Sequence, residues 1–370
     1  MEPIRLFLCG DVMLGRGVDQ ILPHPGDPRL AESYLRDARD YVAAAEERNG
    51  PIRRPVDPAW PWGAALRALD EAAPHVRVIN LESGITRSDD FAPDKGVHYR
   101  MNPANVACLT AGRPDVCNLA NNHVLDFGHR GLAETLDTLS AAGLRRVGAG
   151  RDEDEARRPA VVGAPRGRVV VFGYGAATSG IPAGWAATRN RSGVNFVPEL
   201  TDRWAAEITA DIRERTRPGD IVVVSLHWGS NWRYHVGPDQ MRFAHRLVDG
   251  GVHVVHGHSS HHPRPIEIYR DRLVLYGCGD FIDDYEGIPG YERYRDDLRL
   301  LFFASLSPAG DLVDLRMLPM QARRMRLEPA SAEDAAWLCG TLARVSGRFG
   351  TDVHLADGTL VAAPRARAPR

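Results

Sequence analysis

The chain has 370 residues, room for one large domain or two at about 150 residues each, and its 44% hydrophobic content supplies a buried core, which excludes a disordered or fibrous protein. With 46 Lys+Arg against 48 Asp+Glu the formal net charge is −2. No global basic field is present, so neither nucleic acid nor a membrane surface is expected as a partner. The cysteines Cys9, Cys108, Cys117, Cys278 and Cys339 are odd in number and lack a CxxC pair, which argues against a disulfide framework or zinc ribbon and fits a reducing compartment. The opening MEPIRLFLCGD has no basic region before its short apolar run, so no signal peptide is read there. No stretch approaches the roughly 20 apolar residues of a membrane span. The expectation is a cytoplasmic protein.

In chain order, short β-branched runs predict strands at Ile4–Cys9, Val76–Leu81, Val116–Ala120, Val169–Tyr174, Ile221–Leu226, Val252–Val255 and Leu273–Tyr276. Between them, apolar residues at 3-to-4 spacing predict helices at Arg130–Ala142, Thr201–Thr216 and Asp239–Asp249, with Gly143 and Gly250 placed as C-caps. This alternation is the signature of an α/β fold. A tract from Pro23 to Trp62 breaks the rhythm and is read as an insertion carrying a helix at about Ala31–Glu47 and a loop, a lid or pocket wall. Residues 1–330 are expected to form a single domain with that insertion at about 23–62. Residues 331–370 are expected to add a helix at Ser331–Val345, a short β-like end and a disordered basic tail, PRARAPR.

Ligands of open α/β sheets bind beyond the carboxyl ends of the strands. Here those ends carry Gly10-Asp11, Asn80-Leu81-Glu82, Asn121-Asn122-His123, Ser225-Leu226-His227 and Gly257-His258-Ser259-Ser260-His261-His262. Carboxylate, amide oxygen and imidazole together suit one or two divalent ions (Mn, Zn, Fe, Mg or Ca) rather than a thiolate-bound metal. A satisfied core histidine is the alternative for His227, which ends the apolar run IVVVSL, and a turn or cap residue is the alternative for Asp11. Among the clustered histidines, His258 and His261 are preferred over His256 and His262, and His235 and His253 are read as structural. The glycines of Val147-Gly148-Ala149-Gly150 form an incomplete GxGxxG, so no nucleotide cofactor is expected.

The series GDVMLGR, INLESGIT, NLANNHVLDFGHRGL, SLHWGS, GHSSHHPRPIE and LYGCGDF, spanning about Arg5 to Phe281, resembles the CapA (poly-γ-glutamate capsule synthesis) family of calcineurin-like metallophosphatases. The resemblance implies a sandwich of two mixed β-sheets flanked by helices, with metal between the sheet ends. It implies Asp11, Glu82, Asn122, His227, His258 and His261 as metal ligands and His123 as the catalytic acid or base. Asp126 is paired with His123 as an orienting catalytic carboxylate, with a helix cap as the alternative. In the family-like segment DKGVHYR, Lys95, Tyr99 and Arg100 are placed on the substrate side, together with Trp228, Trp232 and Asp280; Lys95 is the only lysine of the chain. Two departures stand out. Met13 occupies the place of the second ligand in a DxH motif, and the closing pair is spaced HxxH rather than HxH.

Those departures weaken ordinary phosphoester hydrolysis, which needs two metals to clamp an in-line displacement. The family also resembles lasso-peptide epimerases of the MslH type. The expectation is therefore a metal-dependent isomerase, a peptide epimerase that inverts an α-carbon, L to D, at the C-terminal residue of a ribosomal precursor peptide, with tryptophan as one candidate residue. In that reading His123 exchanges the proton and the metal stabilises the enolate. The alternative is a metal-dependent hydrolase of phosphoesters or γ-glutamyl amides in capsule metabolism. The implied partner is a peptide substrate.

Overall fold

The computed structural model describes residues 3–165 and 167–365. Ten strands build the first sheet: β1 (Ile4–Val12), β2 (Val76–Leu81), β3 (Val116–Asn118), β4 (Arg145–Val147), β12 (Asp280–Ile282), β13 (Leu298–Leu306), β14 (Leu312–Ala322), β15 (Leu327–Pro329), β16 (Thr351–Ala356) and β17 (Thr359–Pro364). Its order is β16-β17-β14-β13-β1-β2-β3-β4, with β12 beside β1 and β15 beside β14. Seven strands build the second: β5 (Ala160–Ala164), β6 (Gly167–Ala176), β7 (Phe196–Val197), β8 (Ile221–His227), β9 (Val254–His258), β10 (Ile266–Tyr269) and β11 (Arg272–Leu275). They run β7-β6-β8-β9-β11-β10, with β5 on β6. Both sheets are mixed. β1, β2, β3 and β4 are parallel while β13 and β14 return antiparallel, and β6, β8, β9 and β11 are parallel while β5 and β10 are antiparallel.

The sheets pack face to face through Leu6, Leu8, Val76, Val78 and Val116 from one side and Val169, Val171, Val223, Val254 and Leu273 from the other, all buried. The opposite faces are covered by helices: α1 (Arg39–Asn49) and α2 (Gly128–Ala141) over the first sheet, α3 (Asp202–Arg215) and α4 (Pro238–Asp249) over the second. A strand buried on both faces reads as a continuous apolar run, which is why Ile221–Leu226 shows no alternation. This is the sandwich of two mixed sheets flanked by helices that the family resemblance implies.

Local chemistry sets the element ends. The Thr201 hydroxyl accepts from the Trp204 N–H to start α3, and the Ser331 hydroxyl accepts from the Asp334 N–H to start α5 (Ala332–Ser346). Gly143 takes the left-handed φ of +72° after α2, as its position predicts. After α4 it is Gly251, not Gly250, that turns left-handed, because α4 runs on to Asp249 and Gly250 stays helical. The insertion's helix begins at Arg39, eight residues later than expected, since the segment before it is held by backbone bonds between Leu30, Ala38 and their partners Arg36 and Pro28. The C-terminal segment is part of the first sheet: β17 pairs β14 with Leu315 opposite Ala362, and Leu338, Leu342 and Val345 of α5 enter the core between the sheets. Most of the expected basic tail lies outside the described residues.

Candidate metal centre

Parallel register brings the strand-end residues into two facing rows. In the first sheet, Asp280 of β12, Asp11 of β1, Asn80 of β2 and Asn118 of β3 are successive cross-strand partners. In the second, Gly175 of β6, His227 of β8 and His258 of β9 are. Gly10 allows β1 and β12 to approach: a Cβ there would lie 1.6 Å from the Gly279 carbonyl oxygen, the group that accepts the Asp11 N–H at 3.0 Å. The rows meet in a cluster where Asp11, His227 and His258, all buried, present ligand atoms within 4.8 Å of one another.

The chemistry of this donor set fits a divalent cation. Asp11, Glu82 and Asp280 are each at most 2% exposed. Burial, with Asp280 next, pushes Asp11 up to about 7, and burial followed by Asp11 raises Glu82 well above its ordinary value. Ionising such closely placed buried carboxyls calls for a compensating cation. The imidazoles of His227 and His258 are held in their neutral, ligating form by burial, which pushes both well below 6.5. Their Nδ1 atoms lie 2.8 Å apart, the Ser225 hydroxyl lies 2.9 Å from His258 Nε2, and Asn122 Oδ1 lies 2.8 Å from His227 Nε2. Glu82 approaches from above, its Oε1 3.7 Å from His227 Nε2 and 3.8 Å from His123 Nε2.

The centre of the first row is Asn80, which sequence reasoning did not single out as a site residue. Its Nδ2 donates to Asp11 Oδ1 at 2.7 Å and Glu82 Oε2 at 3.2 Å, while its Oδ1 accepts from Asn118 at 2.9 Å and Asn121 at 3.3 Å. Two donors on the amide oxygen fix which end of the side chain faces the carboxylates. Its position opposite Asp11 and Asn118, read from strand register, is the signal that would have found it.

One edge of the cluster carries an oriented acid/base group. His123 Nδ1 lies 2.7 Å from Asp126 Oδ2 and 3.0 Å from Lys95 Nζ. Lys95 also donates to Asp126 Oδ1 and to the Asn122 carbonyl, and the Tyr99 N–H donates to Asp126 Oδ2 at 2.7 Å. Burial raises the Asp126 carboxyl to about 6 against the opposing pull of Lys95, and burial lowers Lys95. Burial, then Lys95, holds His123 well below 6.5. The Tyr99 ring packs on the imidazole at 4.1 Å between centroids.

Several expected positions are corrected. His261 does not join the Asp11–His227–His258 cluster. Ser259 turns left-handed at φ +101°, and the extra residue of HxxH carries His261 past the strand end, where its Nδ1 donates to Asp280 at 2.9 Å and its Nε2 lies 3.0 Å from Asn231 Nδ2. Burial alone would lower His261, but Asp280 raises it. Asp280 is accordingly a buried partner of His261 beside Asp11, not a substrate-facing group. Trp228 is fully buried, stacked on Tyr276 and donating to its carbonyl at 3.2 Å, because it begins the chain's turn into the helix-covered face of the second sheet. Arg100 turns away to Ser88 O and Asp89, each at 2.7 Å. Trp232, in contrast, lies 5.2 Å from His261 and lines a cavity with Tyr99. His256, ranked below His258 as a ligand, is bonded to the Cys9 carbonyl at 2.7 Å, and His253, read as structural, accepts from the Val222 N–H at 2.9 Å.

The sequence pattern of the bacterial capsule synthesis protein PGA_cap family matches residues 5–285, more than three quarters of the chain and all of the strand-end residues above. The chain belongs to the PGA_cap (CapA) family. Two curated relatives from Mycobacterium tuberculosis strains, each named a probable polyglutamine synthesis accessory protein, are 54% identical over 355 residues, 95% of this chain and 93% of theirs. Capsule biosynthesis protein CapA of Bacillus anthracis is 25% identical over 80% of this chain and 62% of its own, and PGA biosynthesis protein CapA of Bacillus subtilis 28% over 80% and 66%. None of these relatives is named for epimerisation or lasso peptides. Among the described residues no helix of this PGA_cap protein is long and apolar enough to cross a membrane.

Proposed function

We propose that this protein is a metal-dependent hydrolase of glutamyl or glutaminyl amide bonds that acts in poly-glutamine or poly-glutamate synthesis. The observation that carries the reading is the orientation of the His123 imidazole: Asp126 and Lys95 both occupy its Nδ1 side, which leaves Nε2 turned toward Glu82 and the cluster. The names of the relatives supply the substrate class.

Asp11, His227 and His258, with Glu82 and Asn122 beside them, would hold the ion. When bound, a divalent ion supplies Lewis-acid polarisation of an acyl oxygen. Asp126 fixes the His123 tautomer and ring orientation, Lys95 anchors Asp126, and His123 Nε2 takes a proton from the attacking water and returns it to the departing amine. Inversion of an α-carbon, the other reading, needs two groups on opposite faces of the substrate. Lys95 and Asp126 cannot provide the second, because both bond the same edge of His123; His261 remains as its candidate. Hydrolysis needs one such group, and it is favoured because His123 turns its free nitrogen to Glu82 while His261 Nε2 lies against Asn231.

The test is turnover of metal-replete protein on short glutamyl and glutaminyl oligomers in D₂O, read by mass. Cleavage abolished by chelation is expected, with His123→Ala keeping its metal and losing about 10²- to 10⁴-fold in rate. Deuterium uptake into an uncut chain would instead assign epimerisation.

A further inference from the structure

Beside the cluster a cavity of about 210 Å³ opens between three chain segments distant in sequence. Tyr34 comes from the insertion, Trp232 from the loop after β8, and Tyr285, Tyr291 and Asp296 from the loop between β12 and β13; Tyr99 and His261 form the end nearest the centre. Trp232 and Tyr291 are stacked at 3.8 Å with an interplanar angle of 4°. Tyr34 is 61% exposed and Tyr291 39%, large aromatic surface turned to solvent rather than to the core.

The charges in this wall are unequal in availability. The cation Arg16 is 3% exposed and already spent: it donates to Glu32 at 2.9 Å, Tyr41 at 2.8 Å and Asp284 at 3.1 Å, and lies over the Tyr41 and Tyr99 rings. His261 is paired with Asp280. Among the described residues, no side chain donates a hydrogen bond to the Asp296 carboxylate. Asp296 is part-exposed, and the nearest further cation, Arg299, is already paired with Asp283. The cavity therefore offers aromatic faces and one carboxylate acceptor open to a donor, and the cations beside it are already paired.

We propose that this cavity selects uncharged carboxamide side chains over carboxylates, so that the polymer handled at the centre is glutaminyl rather than glutamyl in the unit that enters it. The proposal rests on the reading of the site as one for a glutamyl or glutaminyl chain. A primary carboxamide stacks its planar face on Trp232 or Tyr291 and donates an N–H to Asp296. A glutamyl carboxylate has no donor to give, brings a second negative charge against Asp296, and finds the nearby cations Arg16 and Arg299 already paired with Glu32, Asp284 and Asp283. Sites built to hydrogen-bond an N–H reject analogues lacking it because a polar group is left unpaired.

The experiment is a pair of calorimetric titrations of the intact, metal-replete protein with capped α-linked triglutamine and triglutamate, repeated with γ-linked chains bearing α-carboxamides or α-carboxylates. The carboxamide chain is expected to bind about tenfold or more tightly than its carboxylate counterpart. Asp296→Asn should bring the two within about threefold, and Trp232→Ala should weaken the carboxamide chain about tenfold, each with an unchanged circular dichroism spectrum. Equal or tighter binding of the carboxylate chains, a preference that survives Asp296→Asn, or no binding of any chain overturns the proposal. Cleavage is read separately by mass, so selective binding without cleavage would remove the hydrolytic reading and leave the selectivity standing.

Discussion

Asp11 and Glu82 are carboxylates that water does not reach, and what keeps them aimed at one point is the amide of Asn80. Removing that donor leaves two buried acceptors unpaired and frees their rotamers, so the loss is felt first in ion binding. Asn80→Ala is expected to lower Mn²⁺ affinity about 10- to 100-fold, measured by titration with the metal alone, and unchanged affinity would show that Asn80 is a bystander. The residue scale is also where sequence spacing is weakest. Asp11, Glu82, Asn122, His227 and His258 were legible because each ends an apolar strand run. Nothing in the spacing separates Asn80 from Glu82 two residues on, and the place of Trp228 after His227 suggests a pocket residue, although burial against Tyr276 decides otherwise.

At the scale of elements, register does the assembling. Parallel pairing of β12, β1, β2 and β3, and of β6, β8 and β9, converts seven separated strand ends into two rows. The frame behind the first row is pinned at the start of β13, where Arg295 donates to Asp297 at 2.8 and 2.9 Å and to Asp334 of α5 at 2.6 Å, tying strand to helix. Burial would raise Asp297, but its bonds from Arg295 and Gln321 hold it below the ordinary carboxylate value. A carboxyl lowered in the folded state stabilises above its unfolded pKa of about 3.9 and loses that contribution as pH falls through the folded value. Arg295→Ala should thus lower the urea midpoint at pH 6, and the gap to the parent protein should close as pH drops below about 3.9. A gap independent of pH would mean that the arginine acts by packing alone.

For the whole molecule, the sandwich concentrates three buried carboxyl groups at the junction of two sheets, and burial makes ionising Asp11 and Glu82 costly until a cation balances their charge. A divalent ion at about 100 times its dissociation constant should stabilise the folded state by about 2.7 kcal/mol. Chelation is accordingly expected to lower the melting temperature by a few degrees and Mn²⁺ to restore it; an identical melting curve with and without chelator would argue against an ion at this junction.

The chain's local patterns were sufficient for the helices α2 to α5, the parallel strands β1, β2, β3, β6, β8, β9 and β11 and the polar residues that follow them, because a period of 2 or 3.6 and a capping hydroxyl act within a few residues. The antiparallel strands β13 and β14 and the docking of β16 and β17 onto them depend on partners far along the chain, and no local period announces them. The same reason governs the centre. Sequence supplied the donor atoms. Only tertiary structure decided that the turn at Ser259 carries His261 to Asp280, that Asn80 lies between two carboxylates, and that Glu32 and Asp284 consume the charge of Arg16, since each of these outcomes is set by which side chain arrives from another element to satisfy a buried polar group.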